Sequence, residues 1–389
     1  MRRLLLVLVA FVMIVPSAVS AQSVSEKSLN LPLNINSGPF EGKYGHIQGI
    51  AVDAERKYVY YSYTTMLVKT DIEGNVIGSV VGLLGHLGDM DFNPEDGRVY
   101  GSLEYKSDGI GKGILQMTQQ ESLKLDNAFY IAIFDVDRIT RINMDAEKDG
   151  IMTTVFLPTV LEDYLAKVEV DGRKVDHRLA CSGIDGVAFG PRFGKKGGKL
   201  YLTTSYGVYS DTQRSDNDYQ VLLQYDVAKW AKYERTLSQE RMHQNGPAKP
   251  DGQYFVPTGN TTYGVQNLEY DPELAIWWMA VYKGKKSSYP NYLLYAVDAL
   301  AKPKKESLKG VPYINRASVV PLQSRVESLK DSKSGVTGWN FGFGSTGLAS
   351  IGDGLYYISH PFTQDKRHAS VLKLYKFNGK ADGPFELVK

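Results

Sequence analysis

One unit is written five times along this chain. GHIQGIAVD from Gly45, GHLGDMDFNPEDGRVYGSL from Gly85, SGIDGVAFGPRFGKKGGKLYLTTSY from Ser182, TTYGVQNLEYDP from Thr261 and GSTGLASIGDGLYYISH from Gly344 fall into a common frame. The equivalent positions His46, His86, Gly183, Gly264 and Ser345 lie 40, 97, 81 and 81 residues apart. Each unit continues as a short alternating strand, a turn rich in Asp, Gly or Pro, and a second strand of aromatic and β-branched residues such as YVYYSY, KLYLTTSY or IWWMAVY. A third strand follows (FYIAIFDVDRI, YLLYAVDAL), and a weaker fourth precedes the next unit: VIGSVVG, GIMTTVFLP, QYFVPTG, ASVVPL and finally FELVK. Five repeats of four strands predict an all-β, five-bladed β-propeller of four-stranded antiparallel blades, because a sandwich would not repeat one unit in this way. The surplus in the 97-residue interval reads as loops, and DVAKWAKYERTLSQ as a short rim helix. Residues ~22–40 are placed to add a strand or an arm that closes the ring.

The N-terminus carries two arginines, an apolar run from Leu4 to Val15 and the small-residue ending Val19-Ser20-Ala21. This pattern predicts a signal peptide over residues 1–21, leaving residues 22–389 as a single propeller domain that is secreted or periplasmic. The apolar run is shorter than the ~20 residues of a membrane-spanning helix, so no membrane anchor is expected after cleavage. The lone cysteine, Cys181, excludes an internal disulfide, so the fold rests on its core. A net charge of +2, spread along the chain, argues against nucleic acid as a partner.

Blade topology sorts the loops by face. The turns joining first and second strands (DAERK, NPEDGR, DPEL) are ordinary turn chemistry. The other side gathers the segments leading into the first strands and the loops between second and third strands. Those carry five of the six histidines, all but His243. On that face the expected acid–base groups are His46, His86, Asp89 and Asp185. The expected ligand-contacting groups are Gln48, Tyr105, Arg178, Tyr206, Arg214, Asn260, Tyr263, Gln266, Asn267, Lys283, Trp339 and His360. Gln48 and Gln266 occupy matching positions in two blades. The run SDNDY from Ser215 is rich in oxygen ligands but lacks the Gly and distal Glu of a helix–loop–helix calcium site, so no metal is expected.

Histidines, carboxylates and tyrosines around a channel mouth are the parts of acid–base chemistry on a polar substrate. Two carboxylates on facing inner strands, Asp89 and Asp185, suit glycoside hydrolysis. A histidine and tyrosine beside Arg178 or Arg214 suit elimination from a uronic acid, with the arginine neutralising the carboxylate. P-loop, dinucleotide and zinc-ligand patterns are missing from the sequence, so no cofactor is expected.

The stretches GHIQGIAVD, GHLGDMDFNPEDGRVYGSLEYK, CSGIDGVAFGP, DNDYQVLLQYDV and GNTTYGVQNLEYDP resemble a family of exported bacterial β-propeller proteins without an assigned activity. The resemblance covers nearly the whole mature chain and supplies no catalytic residues. In architecture alone the chain is similar to propeller glycosidases and polysaccharide lyases. The expectation is a secreted carbohydrate-active enzyme, hydrolase or uronate lyase, acting on a polysaccharide or oligosaccharide. The alternative is a non-catalytic propeller that binds a glycan or a protein.

Overall fold

A computed structural model describes residues 31–40 and 43–389. The expected signal peptide lies outside these residues. Within Pro32–Lys389 the chain forms five blades whose innermost strands are Ile47–Val52, His86–Asn93, Cys181–Gly190, Thr262–Asp271 and Leu348–Gly352. Each packs against the next, and the last returns to the first. The five-bladed expectation therefore holds.

Blades bury both faces, and the sequence shows it. In Ala128–Phe134 of blade two, Phe129, Ile131 and Ile133 join the core shared with blade three, whereas Tyr130, Ala132 and Phe134 join the core shared with blade one. In Ile276–Tyr282 of blade four, Trp277, Met279 and Val281 face blade three, and Ile276, Trp278 and Ala280 face blade five. A strand alternates its side chains between two sheet faces, so a strand covered on both sides reads as an unbroken apolar run.

Blades one to three each hold the expected four strands in sequence order, and blades one and three gain additions at their outer edges. Blade five is closed by the N-terminal strand Asn34–Asn36, which pairs antiparallel with Arg367–Phe377 through Ile35 and Leu372. The C-terminal Phe385–Leu387 pairs with the far end of the same strand. Both ends of the described domain thus share one outer position, and closure needs residues from both.

Blade four departs from expectation. ASVVPL is not its outer strand: Ala317–Val319 pairs in parallel with Gly252–Pro257 of blade three. Pro321 lacks a donor and cannot continue that ladder. Its carbonyl accepts from Asp298 of blade four, and the chain crosses there, meeting blade four in isolated bridges at Leu322 and Trp339 rather than in a full ladder. Blade three becomes six-stranded and blade four keeps a three-stranded ladder.

The surplus after blade two's second strand is also more ordered than loops. It contains helix α1 (Gly109–Met117), capped by Asp108, whose Oδ1 accepts from the Ile110 and Gly111 amides. Before blade three come helix α2 (Pro158–Leu165) and the hairpin Lys167–Val170/Arg173–Asp176. The expected rim helix after Asp226 is only a single 3-10 turn, Val227–Lys229.

Candidate functional site

Four inner strands carry register shifts against their neighbours at corresponding points: between Ile47 and Gly49, Leu87 and Met90, Ile184 and Val187, and Val265 and Asn267. A bulge re-aims the side chains it contains. The bulged residues include Gln48, Asp89, Asp185 and Gln266, four positions the repeat frame singles out. Three of them, Gln48, Asp185 and Gln266, line a cavity of about 280 Å³ at the channel mouth.

Segments leading into inner strands add His46, His86, Ser182 and Tyr263 to that cavity. Second-strand ends and their loops add Thr64, Glu104, Lys106, Gly207 and Tyr282. Two loop classes predicted to share a face do share it. Asp185 leans over Gly88, where any β-carbon would collide with its Oδ1. Its Oδ1 accepts from the Asp89 amide at 3.3 Å, and Gln266 hydrogen-bonds its carboxyl. Burial, and then the Glu104 charge, push Asp185 well above the usual carboxylate range. Tyr282 is pushed up to about 12 by burial and by Asp185.

The opposite wall is ionic. Lys106, buried at 7 % exposure, pairs with Glu104 and donates to the Ser182 carbonyl at 2.9 Å. Burial opposes its charge, but Glu104 and Asp108 hold it above the ordinary lysine value. The other Glu104 oxygen, Oε2, accepts from the Ile184 amide at 3.0 Å. His86 Nδ1 lies 3.7 Å from Glu104 Oε1 without a hydrogen bond, and burial with Lys106 lowers the ring to about 3. His86 is therefore neutral at pH 7. His46 sits at the rim with Gln48 Nε2 3.3 Å from its Nε2 and the His368 ring 6.2 Å away. Desolvation at that crowded rim, and His368, hold it below the ordinary histidine value.

Tyr263 is 42 % exposed at the cavity edge and has φ 63°. A bulky side chain in the left-handed region is strained and persists only where its surroundings hold it. Here Gln266 Nε2 donates to the Tyr263 carbonyl at 2.9 Å.

Other expected residues have structural partners away from the cavity. Asp89 lies below the mouth, where Oδ2 accepts from Val187 and Leu268 amides, both at 2.9 Å. Asn267 joins Gln48 of blade one to Leu348 of blade five. Tyr105 bonds Gln239 in the core between blades one and two. Tyr206 donates to Asp163, the partner of Arg178 on the adjoining turn. Arg214 pairs with Asp216 and holds the Asp176 and His177 carbonyls. Asn260 accepts from Lys285 and Lys286 amides, bracing a loop. The Lys283 side chain is exposed, outside the cavity lining. Trp339 is core, its Nε1 bonded to Glu327. His360 stacks between Phe343 and Tyr375 in blade five. The oxygens of SDNDY are likewise engaged: Asp216 by Arg214, Asp218 by Lys286, and Asn217 by Lys286.

Sequence reasoning missed both Glu104 and Lys106. The available signal was Glu104 itself, a charge inside the otherwise uncharged strand run VYGSLEY of Val99–Tyr105.

No protein-family model matches the chain, and no curated protein matches it. Among solved structures, the Dos1 propeller has a TM-score of 0.34 at 11% identity; the match covers 90% of this chain and 62% of that one. A functionally unknown protein from Desulfotomaculum acetoxidans has a TM-score of 0.33 at 12% identity, covering 88% of this chain and 69% of that one. A protein of unknown function from Bacteroides caccae has a TM-score of 0.28 at 9% identity, covering 71% and 86%. This chain thus spans under two thirds of the Dos1 propeller. The fold itself rests on the blade ladders described above.

Proposed function

We propose that the channel mouth is the site of a secreted carbohydrate-active enzyme, a glycoside hydrolase. The observation that carries this reading is one cavity lined by both a carboxyl that burial pushes up, Asp185, and a rim histidine that burial pushes down, His46. Groups pushed to opposite protonation states in one cleft are the usual arrangement of an acid and a base. Asp185 donates its proton to the departing glycosidic oxygen, while His46 takes a proton from the attacking water, whose oxygen bonds to the anomeric carbon. Tyr263 offers an aromatic face to the sugar, and Gln48 and Gln266 offer amides to its hydroxyls. At about 280 Å³ the cavity is at the small end of ligand sites, which suits one terminal ring rather than the middle of a chain.

The lyase form of the idea has less support, because Arg178 and Arg214 are paired elsewhere and the cavity's cation, Lys106, is matched to Glu104. That self-neutralised wall does favour a second reading, a non-catalytic propeller that binds a glycan end. A screen of oligosaccharides and uronic-acid polymers separates the three. New reducing ends support the hydrolase, absorbance of an unsaturated product supports the lyase, and binding without turnover supports the lectin-like reading.

A further inference from the structure

A second hollow of about 260 Å³ adjoins the mouth and shares His86, Glu104, Lys106 and Ile110 with it. Its character is different. Leu84, Ile110, Leu115, Leu123 and Leu125 surround it, with Lys112 and Lys124 among the remaining lining residues. Each of those five aliphatic side chains is only part-buried, although α1 and the segment after it fold directly over this space. Helix α1 is seated closely: a β-carbon at Gly111 would run into the Lys106 carbonyl. Aliphatic groups brought together around a void forgo the contacts that burial normally supplies, and an apolar ligand restores them. The wall shared with the mouth contains a buried His86 Nδ1 that has no hydrogen-bond partner.

We propose that the hollow under α1 receives the apolar portion of an amphiphilic ligand whose polar end occupies the mouth, the class represented by alkyl or acyl glycosides. The proposal rests on the carbohydrate reading of the mouth only for the nature of the polar end. It requires ligand affinity to grow with hydrocarbon length until the hollow is filled.

The test is calorimetric titration of the purified chain with methyl, butyl, hexyl and octyl β-D-glucoside below micellar concentrations, alongside 1-hexanol and 1-octanol. Affinity should rise roughly fourfold per added carbon, the fold-change equivalent to ~0.8 kcal/mol per buried methylene. Leu115→Trp fills the hollow and should flatten that dependence while leaving methyl glucoside binding unchanged. Leu123→Gln, which adds a polar group without bulk, should weaken it; melting curves confirm that both variants fold. Equal affinity for methyl and octyl glucoside, no octyl binding, or a slope that survives Leu115→Trp overturns the proposal. Chain-length dependence among the alcohols without any head-group contribution keeps the hollow and removes the carbohydrate reading. Methyl glucoside binding with a flat slope does the reverse.

Discussion

The mouth of the channel and its interior are built from the same kinds of residue and use them differently. In the interior, Asp89 and Asp91 of blade two accept from Val187 and Phe189 of blade three. Asn267 and Glu269 of blade four accept from Leu348 and Ser350 of blade five in the same i, i+2 pattern. These polar side chains latch neighbouring inner strands by satisfying backbone donors that no ladder reaches. Blade three places Gly186 and Ala188 at the corresponding positions, and a β-carbon at Gly186 would crowd Ser205 and, in blade four, Leu268 and Val265. At the mouth, Asp185, Gln48 and Gln266 contact protein on one side and the cavity on the other. Depth along the axis thus decides whether an acidic residue on an inner strand latches its neighbours or lines the cavity.

Sequence alone could not make that distinction. The repeat frame located the blades, the bulged positions and His46, His86, Gln48, Asp185, Tyr263 and Gln266 of the cavity. It could not rank Asp89 against Asp185, because both are lone carboxylates beside glycines and depth is a property of the assembled ring. It also counted every residue on the upper loops as facing the axis. Tyr105, Tyr206 and Trp339 instead point between or behind blades, since a strand's alternate side chains leave in opposite directions. Arg178 was lost to a partner distant in sequence, Asp163, whereas Arg214 pairs with its near neighbour Asp216 and also holds the His177 carbonyl.

The comparison breaks most visibly at the ionic wall. Glu104→Gln leaves Lys106 charged and buried without its counter-ion, and should destabilise the protein by about 3–5 kcal/mol in urea unfolding. The double variant Glu104→Gln/Lys106→Met should recover much of that loss. In the interior, Asp89→Ala orphans two buried amides and should cost about 2–4 kcal/mol, while Asp89→Asn retains an acceptor and should cost less than half as much. Equal losses for Ala and Asn would show that Asp89 fills space rather than latches.

Stability against pH sharpens the contrast between Asp185 and His86. The folded-state pKa of Asp185 is raised, so its contribution is complete below the unfolded carboxylate value and is lost as pH rises through the folded value. His86 is depressed to about 3, so its contribution is complete above the ordinary histidine value and is lost as pH falls toward 3. Each gives a slope of at most ~1.4 kcal/mol per pH unit. Asp185→Asn should therefore gain on the parent as pH rises, and His86→Asn should flatten the acid limb. Parallel curves for parent and variants would contradict both assignments.

The smallest effect lies on α1. Gly113 is open to solvent on its β-carbon side, so Gly113→Ala should raise stability by about 0.5–1 kcal/mol. Gly111→Ala, against the Lys106 carbonyl, should lower it.

The central claim, that Asp185 at the mouth reacts while Asp89 beneath it holds the ring together, is tested most directly by turnover per mole of folded protein. Asp185→Asn is compared with the parent on a panel of p-nitrophenyl glycosides and oligosaccharides. The account predicts a loss of roughly 10²–10⁴-fold, the usual worth of a positioned proton donor, with an unchanged or higher melting temperature. Full specific activity in a variant that melts several degrees early would contradict it.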